Sequence, residues 1–206
     1  MNFYDKYILP SLINCGCGTK PMRYQRQKIV PLAEGSVLEI GIGSGLNLPF
    51  YDLGKINKIW GLDPSKELNN MAKNISTTID VEVDFIIGGA EEIPLPDNSI
   101  DTVLLTYTLC TIAEVKDSIR EMERVLKASG RMLFCEHGLA PDEKVVKWQE
   151  RLNPFWKKIA GGCHLNRNIP EIIEDSKFKI VKLESMYLPK TPKFAGFNYW
   201  GEARVS

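Results

Sequence analysis

Residues 36–65 read SVLEIGIGSGLNLPFYDLGKINKIWGLDPS, and this segment decides the fold. The apolar, β-branched run over 37–40 is typical of a buried parallel strand. The glycines that follow let the backbone turn tightly and approach a ligand. A second strand is expected to end at Asp63, about 22 positions after Gly41, where a carboxylate can accept both hydroxyls of a ribose. The segment therefore predicts a nucleoside site, and the alternative is a Gly-rich turn without a ligand.

The spacing of the glycines indicates which kind of nucleoside is bound. The loop has the pattern Gly41-x-Gly43-x-Gly45, and Glu39 stands two residues before it. A dinucleotide site needs glycine or alanine at the sixth position, where this sequence has Leu46. The loop has no lysine or arginine to meet a phosphate, and the acid before it favours a cationic ligand. An NAD-dependent oxidoreductase is therefore the weaker interpretation.

This arrangement resembles the class I S-adenosylmethionine-dependent methyltransferases. Their first motif has the form acid-x-Gly-x-Gly-x-Gly, and their cofactor carries an ammonium, a sulfonium and a ribose but no phosphate. The loop over 90–101 resembles the one that many small-molecule methyltransferases carry before their fourth strand. The resemblance implies S-adenosylmethionine as the cofactor, with Ala90 and Glu91 beside the adenine and Thr106 at the methionine end. The cofactor-binding residues that it implies are Glu39, Gly41, Gly43, Gly45, Asp63, Pro64, Ser65, Ala90, Glu91 and Thr106.

The composition excludes some classes of partner. Among the 206 residues, Lys plus Arg and Asp plus Glu both number 26, so no net field favours nucleic acid or an anionic membrane. Residues 1–8 have charges within an apolar stretch, and we expect neither a signal peptide nor an anchor there. We expect a cytoplasmic enzyme with a small-molecule substrate and no nucleic-acid partner. Peripheral membrane contact and the oligomeric state stay open.

The five cysteines predict free thiols. They stand at irregular spacing, at positions 15, 17, 110, 135 and 163, which is a poor disulfide framework. Cys15 and Cys17 are separated by one residue, which is too short for the usual paired zinc ligands, so no metal site is expected. Cys110 and Cys135 are expected to pack in the core rather than to act as covalent nucleophiles.

Strands alternate with helices of about a dozen residues along the chain. This alternation predicts an α/β fold with a doubly wound, mostly parallel, Rossmann-like sheet of seven strands. We expect a break in the N-terminal helices at 14–19 and a helix over 115–127. One methyltransferase domain, 1–206, is expected to consist of a helical N-terminal extension (1–34), a cofactor-binding core (35–138), a lid-like helical segment (139–177) and a closing antiparallel hairpin (178–206). The extension either covers the ligand site or packs on the sheet edge.

The C-terminal third has a more specific resemblance. Its motifs, together with Leu109-Cys110-Thr111, are similar to those of the methyltransferase-like thiol S-methyltransferases of animals and their bacterial relatives. They are Glu136-His137, Lys147-Trp148-Gln149, Asn153-Pro154-x-Trp156-Lys157 and Gly161-Gly162-Cys163-His164-Leu165-Asn166-Arg167. Those animal proteins have a hydrophobic N-terminal anchor, which we do not expect in this protein, and a second cysteine where His164 stands. The resemblance implies an alkyl thiol as the acceptor.

An apolar stripe at helical spacing lies within this third. It consists of Val145, Trp148, Leu152, Phe155, Trp156 and Ile159, with lysines around it. Pro154 should kink or divide the helix. The stripe is either core or a lid over an apolar substrate, with contact to a membrane surface as a further alternative.

Methyl transfer from a sulfonium is an in-line displacement on an activated carbon, so the protein contributes mainly proximity and orientation. A neighbouring imidazole would raise the thiolate fraction of a thiol acceptor. His137, just after the fifth strand, and His164, in the lid-like segment, are the candidate catalytic residues, and a structural role is the alternative for each. The sequence predicts a methyltransferase for a small apolar acceptor, with a thiol leading. A quinone-like or lipid acceptor methylated on carbon, oxygen or nitrogen, and a catalytically silent nucleoside-binding module, are the alternatives.

Overall fold

A seven-stranded sheet forms the centre of the protein. The structure is a computed structural model, and it describes residues 9–206. The strands are β1 (Gly35–Ile40), β2 (Ile56–Asp63), β3 (Val83–Ile87), β4 (Ile100–Thr106), β5 (Leu126–His137), β6 (Phe178–Tyr187) and β7 (Phe197–Val205). Their order across the sheet is β3-β2-β1-β4-β5-β7-β6. Strands β1 to β5 pair in parallel, and β7 is antiparallel to both β5 and β6. The predicted sheet and its closing hairpin are confirmed.

Helices cover both faces of the sheet. They are α1 (Leu9–Cys17), α2 (Lys20–Ile29), α3 (Lys66–Ser76), α4 (Val115–Val125), α5 (Glu143–Ile159), α6 (Ile169–Glu174) and α7 (Lys193–Gly196). Short 3-10 turns occupy Val30–Leu32, Leu48–Phe50 and Leu53–Lys55. The apolar side chains of the sheet separate into two buried clusters, one around Phe134 and the other around Leu133. Successive side chains along a strand point to opposite faces of the sheet. The continuous apolar runs of the central strands therefore contribute side chains to both clusters.

The N-terminal extension is more helical than the sequence suggested. The expected break at 14–19 is wrong for its first four residues, because α1 continues through Asn14 to Cys17 and only Gly18 and Thr19 separate it from α2. The Arg26 guanidinium of α2 donates to the carbonyl of Cys17 at 2.7 Å and lies 4.9 Å from the centre of the Tyr107 ring. These contacts hold the helix pair over the sheet. The prediction for residues 1–8 lies outside the described residues.

The helix expected over 115–127 ends two residues earlier. Leu126 is buried and pairs with Ile100, so the chain enters the sheet directly after Val125. The last carbonyls of the helix accept hydrogen bonds from loop amides, Asn98 to Arg124 at 3.0 Å and Ser99 to Val125 at 2.9 Å. The pairing with β4, which joins positions far apart in sequence, overrides the helical pattern.

Helix α5 continues through Pro154, so of the two expected outcomes, a kink or a division, the division is wrong. A proline removes one hydrogen bond to the carbonyl four residues earlier, here that of Glu150. Both residues are exposed, which lets water meet this carbonyl. Buried Gln149 ties the same helix to its surroundings. Its side chain accepts from the amide of Ala140 at 3.0 Å and lies within 3.1 Å of three carbonyl oxygens.

The stripe on α5 divides between core and surface. Trp148 and Phe155 are 56% and 70% exposed, whereas Trp156 turns inward, with its ring edge-on to Phe194 at 6.3 Å between centroids. Within residues 9–206, no helix combines the length and apolarity required to cross a bilayer.

Candidate active site

The predicted cofactor residues converge on one cavity at the carboxyl ends of β1, β2 and β4. The cavity has a volume of about 510 Å³. Nine of the ten predicted residues line it: Glu39, Gly41, Gly43, Asp63, Pro64, Ser65, Ala90, Glu91 and Thr106. Side chains from α1 and α2, among them Ile13 and Arg26, also contribute to the wall. The N-terminal extension therefore covers part of this cavity.

Gly45, the tenth predicted residue, is not among the lining residues. Its φ angle is +80°, and a Cβ there would lie 3.1 Å from Cα of Ala72 and 3.0 Å from Cδ1 of Leu48. Gly45 thus lets the loop approach α3. By contrast, Gly41 (φ +69°) lines the cavity, and a Cβ there would collide with the Thr108 side chain.

Asp63 joins the two loops of the cavity. Its carboxylate accepts from the amide of Gly43 at 3.0 Å and from the amide of Ser65 at 2.8 Å. Burial raises the pKa of Asp63, and the two backbone donors oppose this shift. The side chain is 7% exposed. The amides fix its orientation at the tip of β2, where it faces the cavity.

Glu39 is almost fully buried, with 1% of its surface exposed. It accepts hydrogen bonds from Nδ2 of Asn47 at 2.9 Å and from the hydroxyl of Tyr51 at 2.7 Å. Burial raises the pKa of Glu39 to about 7, although both hydrogen bonds lower it. Nδ2 of Asn47 also donates to Thr106 at 2.8 Å, which connects the ends of β1 and β4. A cationic ligand in the cavity would favour the ionised carboxylate.

A second, larger and mainly apolar cavity adjoins the first. Its volume is about 890 Å³, and it lies between α1, α2, the end of α5 and the connection from β6 to β7. Residues in its wall include Met22, Tyr24, Trp156, Ile159, Pro189, Phe194 and Ala195. The two cavities share Leu9, Ile13, Cys17, Tyr107 and Thr111. Two ligands, one in each cavity, would therefore contact each other along this common wall.

Cys110, His137 and Cys163 come together at the second cavity and line it. Nε2 of His137 lies 3.0 Å from Sγ of Cys163, which is 3.7 Å from Sγ of Cys110. Burial lowers the pKa of His137, but its contact with Cys163 and the nearby Glu136 outweigh this and raise it overall. The indole of Trp156 donates to Cys163 at 3.4 Å. The structure thus groups one predicted catalytic histidine with two thiols.

His164, the other histidine candidate, is not among the residues that line either cavity. Its backbone amide donates to the carbonyl of Cys110 at 2.9 Å. Partial burial and the charges of Arg167 and Lys157 lower the pKa of its side chain. Its contribution in this structure is to hold the chain beside Cys110.

Tyr107, which belongs to the shared wall, follows β4, and Glu136 lies near the end of the neighbouring β5. Tyr107 has a φ of +57°, and its hydroxyl donates to Asn198 at 2.7 Å. Glu136 is fully buried and accepts from the amides of Thr108 at 2.8 Å and Leu109 at 3.0 Å. Neither residue was predicted as part of the site, although Glu136 belongs to the Glu136-His137 motif. The acid before His137 was the only signal for Glu136, because its partners lie 27 and 28 positions away.

The chain has relatives among known proteins. The family model described as "Methyltransferase domain" matches residues 38–134. Thiol S-methyltransferase TMT1B of Rattus norvegicus is 33% identical over 79% of this chain and 70% of its own length. Thiol S-methyltransferase TMT1A of Homo sapiens is 29% identical over 84% of this chain and 72% of its own.

The fold has counterparts among solved structures. An S-adenosylmethionine-dependent methyltransferase of Methanosarcina mazei superimposes with a TM-score of 0.65 at 19% identity, covering 84% of this chain and 94% of the other. The 33% identity with the rat protein over most of both chains shows the family: the chain is an S-adenosylmethionine-dependent methyltransferase and belongs to the family that includes the thiol S-methyltransferases.

Proposed function

We propose that this enzyme transfers the methyl group of S-adenosylmethionine to the sulfur of a small apolar thiol. The observation that carries the proposal is the apolar cavity that shares a wall with the cavity of the cofactor motifs. The relatives named as thiol S-methyltransferases, about 30% identical, support sulfur as the accepting atom.

In this proposal the cofactor occupies the smaller cavity. Asp63 accepts the ribose hydroxyls, and Pro64 and Ser65 follow it along the nucleoside. Ala90 and Glu91 lie beside the adenine. Gly41 and Gly43 let the backbone approach, and Gly45 supports their loop from α3.

The methionine end of the cofactor belongs near Glu39 and Thr106. Both line the smaller cavity, and Asn47 bonds to both. The buried carboxylate would offset the positive charge of the ligand, since a cation within a few ångströms favours the ionised acid. This placement directs the sulfonium toward the shared wall at Tyr107.

The acceptor occupies the apolar cavity with its sulfur toward the shared wall. The thiolate attacks the methyl carbon in line, and the bond from that carbon to the cofactor sulfur breaks. Its electron pair stays on that sulfur, which gives S-adenosylhomocysteine and a methyl thioether. The thiol proton must leave before or during attack. His137 is the predicted catalytic residue that lines this cavity, and we assign it the role of favouring the thiolate.

A chain-length series of alkyl thiols tests the proposal. Each added methylene buried in an apolar cavity contributes about 0.8 kcal/mol, so kcat/KM should rise about three- to fourfold per methylene until the cavity is filled. Ala195→Phe should reduce the length at which this rise stops, because Ala195 lines only the larger of the two cavities. Its affinity for S-adenosylmethionine should stay unchanged.

Ala128→Phe, at an exposed position of β5, is the matched control and should behave as wild type. Turnover of a quinol or an aminophospholipid with no turnover of any thiol would contradict the proposal. Cofactor binding without transfer to any thiol in the series would contradict it as well.

A further inference from the structure

We infer that Cys110, His137 and Cys163 form a binding site for a soft divalent cation of the zinc class, with the fourth coordination position open to the apolar cavity. The three ligand atoms lie within 4.8 Å of one another. They come from three separate parts of the chain: the loop after β4, the end of β5 and the loop after α5. Neither the spacing of the cysteines nor the pair Cys15 and Cys17 pointed to this cluster.

The distances suit a tetrahedral site. Zinc–sulfur bonds of about 2.3 Å at tetrahedral angles place two sulfur ligands about 3.8 Å apart, and the sulfurs of Cys110 and Cys163 are 3.7 Å apart. A nitrogen and a sulfur ligand would lie about 3.6 Å apart. The 3.0 Å between His137 and Cys163 therefore has to widen by about half an ångström on binding, and the third pair, His137 and Cys110, lies within 4.8 Å.

The backbone around the cluster is fixed. Glu136 accepts from the amides before Cys110, and the carbonyl of Cys110 accepts from the amide of His164. Gly161 and Gly162, with φ angles of +60° and +87°, make the turn that brings Cys163 back to the sheet. Backbone hydrogen bonds outside the cluster thus hold the segments that carry Cys110 and Cys163 in position.

The charges and the donor types also fit. Two thiolates neutralise a dication, and the neutral imidazole completes a set of two sulfurs and one nitrogen, a combination that binds zinc in enzymes that keep the fourth position open. The Trp156 indole N–H, 3.4 Å from the Cys163 sulfur, would stabilise negative charge there. Because all three ligands line the apolar cavity, a molecule in that cavity can reach the open position.

The cation would act on the acceptor, and this step rests on the proposed function. A thiol that enters the open position binds as the thiolate and releases its proton to solvent. The sulfur then attacks the methyl carbon, and the electron pair of the broken bond stays on the cofactor sulfur. The product thioether is neutral and is a weaker ligand than a thiolate, so it leaves while the cation stays. No oxidant or reductant takes part.

Cobalt(II) titration of the reduced, chelator-treated protein tests the site. We expect one equivalent to bind with sulfur-to-cobalt charge-transfer absorption and the intense visible bands of a tetrahedral centre, and zinc to displace it. Cys163→Ser and His137→Gln should each weaken cobalt binding about 100-fold or more. Cys15→Ser, which removes an exposed thiol outside the cluster, should bind as wild type.

The affinity of each variant for S-adenosylmethionine, which should not change, shows that the fold is intact. Absence of stoichiometric, tetrahedral cobalt in the wild type would overturn the site, whether or not methyl transfer to thiols occurs. Addition of an alkyl thiol should increase the charge-transfer absorption of the wild-type cobalt protein. If cobalt binds but its spectrum does not change when the thiol is added, the proposed role of the cation in methyl transfer would be overturned.

Discussion

Asp63 is the residue on which the nucleoside assignment depends most. Asp63→Asn removes the charge and keeps only one acceptor oxygen. Its new NH2 group would face the backbone N–H of either Gly43 or Ser65, so that one of these two hydrogen bonds is lost. Hydrogen bonds to a charged group are worth about 1.5–3 kcal/mol, so affinity for S-adenosylmethionine should fall about 10- to 100-fold by isothermal titration calorimetry. Asp84→Asn, an exposed acid on the neighbouring β3, should leave the affinity unchanged.

We expect Glu39 to make the binding of the cofactor depend on pH. Its pKa is about 7 in the folded protein and near 4.5 as a free group. At a pH between these two pKa values, Glu39 is protonated in the ligand-free folded protein and ionised in the unfolded chain. The contribution of Glu39 to stability is therefore complete below about pH 4.5 and is lost as the pH rises through about 7.

A cationic ligand beside Glu39 favours the ionised carboxylate over the protonated acid, so we expect binding to release the proton of Glu39. The affinity for S-adenosylmethionine should rise with pH, by up to about tenfold per unit, and level off above about pH 7. Calorimetry at about pH 6 in buffers of different ionisation enthalpy should detect proton release in the wild type. Glu39→Gln should remove the Glu39 contribution to this release; an unchanged profile in that variant would show that another group is responsible.

Some site residues could be predicted from the sequence and others could not. Glu39, Gly41, Gly43 and Asp63 belong to a compact motif whose spacing fixes their positions at two neighbouring strand ends. Cys163 reaches His137 only because α5 and two glycines return the chain to the sheet. Contacts of that kind depend on the tertiary path of the chain and leave no local pattern.

At the scale of elements, Gly45 determines how the glycine loop packs on α3. Gly45→Ala adds a Cβ within 3.1 Å of Cα of Ala72 and imposes a positive φ on an L residue. We expect a loss of about 1–3 kcal/mol in the free energy of unfolding, measured with urea. Gly54→Ala, whose new Cβ would meet only Asp52 at 3.7 Å, is the control and should change stability by less. Equal losses for the two variants would disprove this role of Gly45.

Gln149 attaches α5 to the loops that follow β5 and α5, and to α7. Gln149→Leu leaves the buried amide of Ala140 and the carbonyls around it without their partner. Each unsatisfied buried group costs about 1–3 kcal/mol, so chemical denaturation should show a loss of at least about 3 kcal/mol. Gln27→Leu, at an exposed position of α2, should cost less than about 0.5 kcal/mol. Full stability of Gln149→Leu would mean that α5 is held by other contacts.

The boundaries of elements were harder to predict than their existence. The helical pattern of α4 extends to Lys127, but Leu126 pairs with Ile100 of β4 and so belongs to the sheet. The glycines of 16–18 suggested a break, yet packing against Arg26 keeps α1 helical to Cys17. Local propensity is a weak prior wherever tertiary contacts compete with it.

At the scale of the molecule, the sheet topology explains why the two cavities adjoin. Parallel strands bring their carboxyl ends to one edge, where the loops after β1, β2, β4 and β5 meet. The alternation of strands and helices in the sequence predicted this arrangement and the antiparallel closing hairpin. The sequence does not decide whether the N-terminal extension covers the site or packs on the sheet edge, or whether the stripe on α5 is core, a lid or a membrane contact, because amphipathic patterns do not specify a partner.

The measurement that tests the central claim most directly is a competition for the methyl group. The purified enzyme is incubated with S-adenosylmethionine carrying a ¹³C-methyl group and equal concentrations of an alkyl thiol, a quinol and an aminophospholipid, and the products are followed by NMR. We predict that the label appears as an S-methyl thioether and that S-adenosylhomocysteine forms in equal amount. Label on the quinol or the phospholipid, with the thiol unmodified, would contradict the proposed function.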